Sequence, residues 1–168
     1  LQAEVRVSSS WARVVVALVA IPFFIAAIIY DGIYFFALVE GMIILGVIEA
    51  LDLAEKKSTS PQSLLGIAFA TLFGVLFFLG KLSFILPAVF VFLMLLLILE
   101  LFRNTGSALL NMAATLFATL YVSFLMGGVL LLRGLPGAAG EQMVFLVFAG
   151  IWACDTMAYF GGKFLGKH

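Results

Sequence analysis

Ionisable and hydroxylated side chains set inside long apolar runs define the chemistry open to this sequence. Asp155 follows an unbroken apolar run that starts at Met143, and eight residues separate it from Lys163, about 12 Å along a helix. Asp155, Tyr159 and Lys163 fall at i, i+4 and i+8, so on a continuous helix they share one face. Gly161-Gly162 is the point where that helix is expected to loosen. A carboxylate can hold a divalent cation through oxygen ligands. Lys163 and Lys167 can neutralise phosphate, and glycines let backbone approach it closely. This set suits a phosphorylated ligand. The competing reading pairs Asp155 with a neighbouring helix and leaves the lysines as interfacial charges.

Other polar residues ask the same question, because an ionisable group at membrane depth is a functional candidate by default. Glu40 lies well inside an apolar run and is expected as a protonated or hydrogen-bonded carboxyl facing another helix. Glu49 and Asp52, one turn apart and close to Lys56, are either an interfacial charge cluster or an acidic wall around a headgroup site. Glu100 and Arg103, spaced i, i+3, read as a local ion pair. Asn111, Thr115, Thr119, Ser123 and Gly127 recur every four residues, and Gly66, Ala70 and Gly74 repeat that spacing. Small and hydroxylated residues at this period let helices approach closely and hydrogen-bond across the contact. Either the stripe is a helix–helix seam, or Asn111 and the threonines line a polar cavity.

The elements that must position these groups follow from composition. Of 168 residues, 65% are hydrophobic and 11% charged, and mean hydropathy is +1.26. Water-soluble domains are near 45–50% apolar and about 25% charged, so a soluble fold and a disordered chain are both excluded. Nine basic and nine acidic residues cancel, which gives no pull toward nucleic acid. Cys154 is the one cysteine and His168 the one histidine. An intrachain disulfide and a histidine-built metal cage are therefore ruled out.

A bilayer core needs about 20 apolar residues of helix. Runs at 12–30, 32–53, 63–80, 84–102, 108–132 and 143–164 meet or nearly meet this. The breaks carry turn residues and charge, as in Asp31-Gly32, the stretch from Glu55 to Pro61, Gly80-Lys81, Arg103 to Gly106, and Arg133 to Gly137. The expected fold is all-α: one polytopic transmembrane domain over 1–168, with about six helices and no sheet. The Leu-rich 84–102 segment should face lipid. Alternate loops place Arg6, Arg13, Lys56, Lys57, Arg103, Lys163 and Lys167 on one side, against Lys81 and Arg133 on the other. The positive-inside rule then puts both termini in the cytoplasm. Trp11 and Arg13 read as interfacial anchors.

Residues 152–168 resemble the phosphatidate cytidylyltransferases, or CDP-diacylglycerol synthases. Trp152, Asp155, Thr156, Ala158, Tyr159, Phe160, Gly162, Lys163, Gly166, Lys167 and His168 match that family's pattern in register. Looser correspondences are a basic residue before the first helix, Arg13, and a glutamate ending the second, Glu49. Ala50 stands where the family often has an aromatic. Family members continue with an S-P-K-K-T-x-E-G stretch and a C-terminal signature that holds most of their metal-binding and catalytic aspartates. The chain is thus expected to be the N-terminal portion of a longer enzyme, inactive alone.

The resemblance implies transfer of a cytidylyl group from CTP to phosphatidate, giving CDP-diacylglycerol and pyrophosphate for phospholipid synthesis, with Mg2+ as the cation. It implies Asp155 as catalytic residue and metal ligand. Tyr159, Lys163, Lys167, Asn111 and Glu49 are the candidate substrate-binding residues. Expected partners are CTP, phosphatidate and membrane lipids, with room for a homodimer, and the expected location is a bacterial inner membrane with the site facing the cytoplasm. The alternatives are a CTP-dependent polyprenol or lipid kinase and a non-enzymatic transmembrane module.

Overall fold

The computed structural model describes residues 21–57 and 59–165. Every regular element among these residues is a helix, with no strand among them. Helix α1 covers Ile21–Tyr30. It is followed by α2 (Gly32–Glu55), α3 (Ser63–Phe78), a 3-10 turn (Leu82–Phe84), α4 (Ile85–Phe102), α5 (Ala108–Arg133) and α6 (Ala138–Leu165). The expected all-helical class is thus observed. Among the described residues, four stretches are long and apolar enough to cross a membrane: α2, Leu82–Phe102, α5, and Ala138–Gly162 of α6. Helix α3, at 16 residues, is shorter than the usual span. The terminal residues, with Trp11, Arg13, Lys167 and His168, lie outside the described residues.

Positive-φ residues mark most of the breaks. Asp31 (φ 56) and Gly32 (φ 56) turn α1 into α2; aspartate tolerates this left-handed conformation better than most side chains. Gly80 (φ 65), Gly106 (φ 60) and Gly137 (φ 68) stand in three later turns. Among the boundaries that differ from the hydropathy pattern, two have a clear local cause. Helix α3 stops at Phe78 rather than residue 80, because the chain bends at Gly80. Helix α6 starts at Ala138, five residues before the apolar run. Glu141 lies in its first turn, where the helix dipole favours an acidic residue that hydropathy counts against the helix. Gly140 packs against the backbone carbonyls of Arg133 and Leu135, a contact no larger residue could make.

The chain forms two compact units, residues 1–38 and 39–168. In the described part of the first, Tyr30 and Tyr34 meet edge to face across the α1–α2 turn, their ring centroids 6.3 Å apart.

The second unit is built around α3. A Cβ on Gly66 would stand 2.9 Å from Thr119 Oγ1 and 3.5 Å from Leu51 Cδ1. A Cβ on Gly74 would run into the Glu40 carboxyl, and one on Gly127 into the Phe77 ring. The successive pairs Gln62–Thr115, Gly66–Thr119 and Phe77–Gly127 make α3 and α5 parallel. Leu51–Gly66 and Glu40–Gly74 make α2 antiparallel to α3. Helix α4 runs back alongside, with Phe69 stacked on Phe92 at 4.7 Å and Phe73 edge-on to the same ring at 6.4 Å. The expected small-residue seam is therefore present. Asn111, Thr115, Thr119 and Ser123 are fully buried against protein. The opposite face of α4, including Phe90, Met94, Leu97 and Leu101, is exposed, as lipid contact requires.

Candidate functional site

Helix α6 continues unbroken through Gly161-Gly162 to Leu165, so the expected loosening there does not occur. Asp155, Tyr159 and Lys163 therefore occupy i, i+4 and i+8 of one continuous helix. Asp155 is exposed. Tyr159 is 65% exposed and packs edge-on against Phe160, with ring centroids 5.5 Å apart. Every residue from 151 to 160 is exposed, whereas Val144, two to four turns earlier, is fully buried. The N-terminal part of α6 thus packs on α5 along one edge, through Gly140 and Val144, and its C-terminal part is open. That open part carries Asp155, Tyr159 and Cys154.

The residues suit a divalent cation only partly. Mg2+ is commonly held by one or two carboxylates plus substrate phosphates, and Asp155 offers one accessible carboxylate. No group of three or more His, Cys, Asp or Glu residues that could hold a metal exists among the described residues. Asp155 therefore fits as a single ligand of a set that substrate phosphates would help complete.

Glu49 and Asp52 are both exposed near the end of α2. Asn111 lies elsewhere, in the first turn of α5, inside a buried polar cluster. Its Nδ2 donates to Glu100 Oε1 and to the Thr105 carbonyl, both at 2.8 Å. Its Oδ1 accepts from the Ser60 backbone N–H at 2.7 Å. Gln62 Nε2 donates to Glu100 Oε2 at 2.8 Å and to the Leu96 carbonyl at 3.2 Å. Thr115 Oγ1 accepts from the Gln62 N–H at 2.9 Å and donates to the Asn111 carbonyl at 2.8 Å. Arg103 adds an ion pair to Glu100 at 3.5 Å. Two neighbouring helix ends and the residues just before α3, Ser60 and Gln62, are thereby tied together. All of Asn111's hydrogen-bond partners lie outside α6.

The sequence reading finds the Glu100–Arg103 pair but misses Gln62, and it misses Glu100 as the hub of a network. The available signal was positional: Gln62, Glu100 and Asn111 each stand at a helix end on the same side. A second polar set lies deeper. Glu40 is buried on α2 beside Gly74, with the Thr71 hydroxyl nearby. Neither of its carboxyl oxygens makes a hydrogen bond of ordinary geometry, nor do Thr119 Oγ1 and Ser123 Oγ.

Comparison with known proteins gives one family. A model described as the cytidylyltransferase family matches residues 11–168. No curated protein and no solved structure matches.

Proposed function

The chain belongs to the cytidylyltransferase family, and from that premise we propose that it forms part of a phosphatidate cytidylyltransferase. Membership itself makes this a CTP-using nucleotidyltransferase chain, and its long apolar helices are those of a membrane protein. The observation that carries the finer reading is the unbroken helical register of Asp155, Tyr159 and Lys163, with Asp155 and Tyr159 exposed.

In the proposed reaction a phosphate oxygen of phosphatidate attacks the α-phosphorus of CTP. The bond from that phosphorus to the bridging oxygen of the β-phosphate breaks, and pyrophosphate leaves with the electron pair. Such transfer depends on positioning and on stabilising charge. Lys163 and Lys167 contact phosphate oxygens as point charges. Asp155 organises the nucleotide end of the site, where a divalent cation, when bound, would offset the phosphate charge. Tyr159, one turn from Asp155, holds it in place. Glu49 borders the headgroup side. Asn111 acts indirectly, by fixing the connection that includes Ser60 and Gln62. The charge bias of the loops supports a cytoplasmic site, where lipid in the leaflet and nucleotide in solution can meet. Bacterial inner membrane is the proposed location.

The test is pyrophosphate release dependent on both CTP and phosphatidate, measured on the full-length parent in detergent. Asp155→Asn should lower turnover about 100-fold or more and leave the amount of folded protein unchanged. Parental rates in that variant would make Asp155 a structural carboxylate. The 168-residue chain alone should show no turnover.

A further inference from the structure

A groove of about 640 Å³ opens between the start of α3 and the end of α4, lined by Gln62, Leu64, Leu65, Leu99, Phe102 and Arg103 among others. Its lining is ordered along the helices. Gln62 immediately precedes α3 and Arg103 immediately follows α4, so the polar groups stand at the helix ends. Leu65 and Leu99 lie about a turn further in. A groove that is charged at the membrane surface and apolar toward the membrane interior has the polarity profile of a phospholipid.

Two polar groups in it have capacity left for a ligand. Gln62 is 7% exposed, and its amide orientation is fixed because Nε2 serves two acceptors, Glu100 and Leu96. Its Oε1 is buried and makes no hydrogen bond, so it calls for a donor. Arg103 has a side chain 32% exposed and gives one 3.5 Å contact to Glu100. Glu100 already accepts from Gln62 and Asn111, and a guanidinium carries five N–H donors. The remaining donors can take a phosphate, which arginine recognises in a bidentate manner.

We infer that this groove seats an anionic glycerophospholipid bearing a headgroup hydroxyl. Its phosphate sits on Arg103, its hydroxyl donates to Gln62 Oε1, and its acyl chain lies along Leu65, Leu99 and Phe102. A choline headgroup has no donor for Gln62 and is disfavoured. A free sugar phosphate or nucleotide leaves the apolar wall uncovered. The inference rests on the membrane placement of the chain and not on the cytidylyl transfer.

The experiment uses the full-length protein in nanodiscs of phosphatidylcholine containing equal small fractions of phosphatidate and phosphatidylglycerol. Retained lipid is counted by native mass spectrometry after transfer to detergent. The wild type should retain phosphatidylglycerol in preference to phosphatidylcholine and to phosphatidate, which carries no headgroup alcohol. Arg103→Gln should weaken this retention about tenfold. Leu64→Trp obstructs the exposed groove wall without touching the polar network, and should weaken retention even if Arg103→Gln fails to fold. Lys81→Ala, on an exposed residue at the other helix end, should change nothing. Equal retention in wild type, Arg103→Gln and Leu64→Trp would overturn the proposal. So would displacement of the lipid by glycerol 3-phosphate, or a protein partner held there in its place. Retention lost in Asp155→Asn but kept in both groove variants would assign the lipid to the reaction site and overturn it equally.

Discussion

Helices α5 and α6 follow one another in the chain and both carry polar residues along apolar runs, but those residues face different surroundings. On α5, Asn111, Thr115, Thr119 and Ser123 are turned into protein and are fully buried. On α6, Asp155 and Tyr159 are exposed, as is every residue from 151 to 160. The buried set splits again. Asn111 and Thr115 are held by Ser60, Gln62, Glu100 and Thr105, whereas Thr119 and Ser123 make no side-chain hydrogen bond. Polarity at membrane depth thus does three jobs here. It ties helix ends together, it stands opposite glycine where backbones approach closely, and on α6 it lies exposed, where the proposed reaction would use it. Burial and partner count separate these jobs; residue type alone does not.

The comparison breaks most severely if Asn111 proves dispensable. Asn111→Ala removes donors from Glu100 and Thr105 and an acceptor from Ser60. It should cost about 1–3 kcal/mol, read as a lower thermal midpoint in detergent. Asp155→Asn on the exposed face should stay within about 0.5 kcal/mol of the parent. If the order reverses, the two regions have been assigned the wrong jobs. An Asn111→Ala protein of normal stability but raised KM for CTP would instead make Asn111 a substrate contact.

The adjacent glycines of α5 offer a sharper test, because they differ only in what they face. A side chain on Gly127 meets the Phe77 ring, while nothing lies within 4 Å of a Cβ on Gly128. Gly127→Ala should destabilise by about 1–3 kcal/mol through overpacking, and Gly128→Ala should not destabilise at all. Equal midpoints for the two variants would mean that α3 and α5 do not pack in this register.

On α6, Lys163→Ala should raise KM for CTP or phosphatidate several-fold with little change in kcat, since a flexible point charge contributes to binding more than to the transition state. Steady-state kinetics with each substrate varied in turn separates these effects. A fall in kcat alone would move Lys163 to the reacting centre.

The smallest effect belongs to Thr119. Its hydroxyl is buried opposite Gly66 and makes no hydrogen bond. Thr119→Val keeps the shape and removes an unsatisfied polar atom, so stability should hold within about 0.5 kcal/mol or rise slightly. Thr115→Val, which strips a partner from the Gln62 N–H, should cost about 1 kcal/mol by the same thermal measurement. A loss at Thr119 equal to that at Thr115 would show that the hydroxyl makes a bond in the membrane after all.

The sequence by itself determined the helices and the register within each one, because both follow from interactions spanning a few residues. Apolar length and the turns at Asp31-Gly32, Gly80 and Gly106 set the helical segments. The four-residue spacing set the α5 stripe and its glycine counterpart on α3. The i, i+4, i+8 order of Asp155, Tyr159 and Lys163 needed only a helix that continued. Tertiary structure decided what each face meets. Gln62 bonds Leu96, Glu100 and Thr115 across 34, 38 and 53 residues of chain, and no local pattern encodes which helix end lies beside which. Glu40 looked like a carboxyl facing another helix, but that it nests against Gly74 depends on how α2 crosses α3. The same holds for α6. Its sequence is apolar on nearly every side, so only the packing of its first turns against α5 leaves the Asp155 half uncovered.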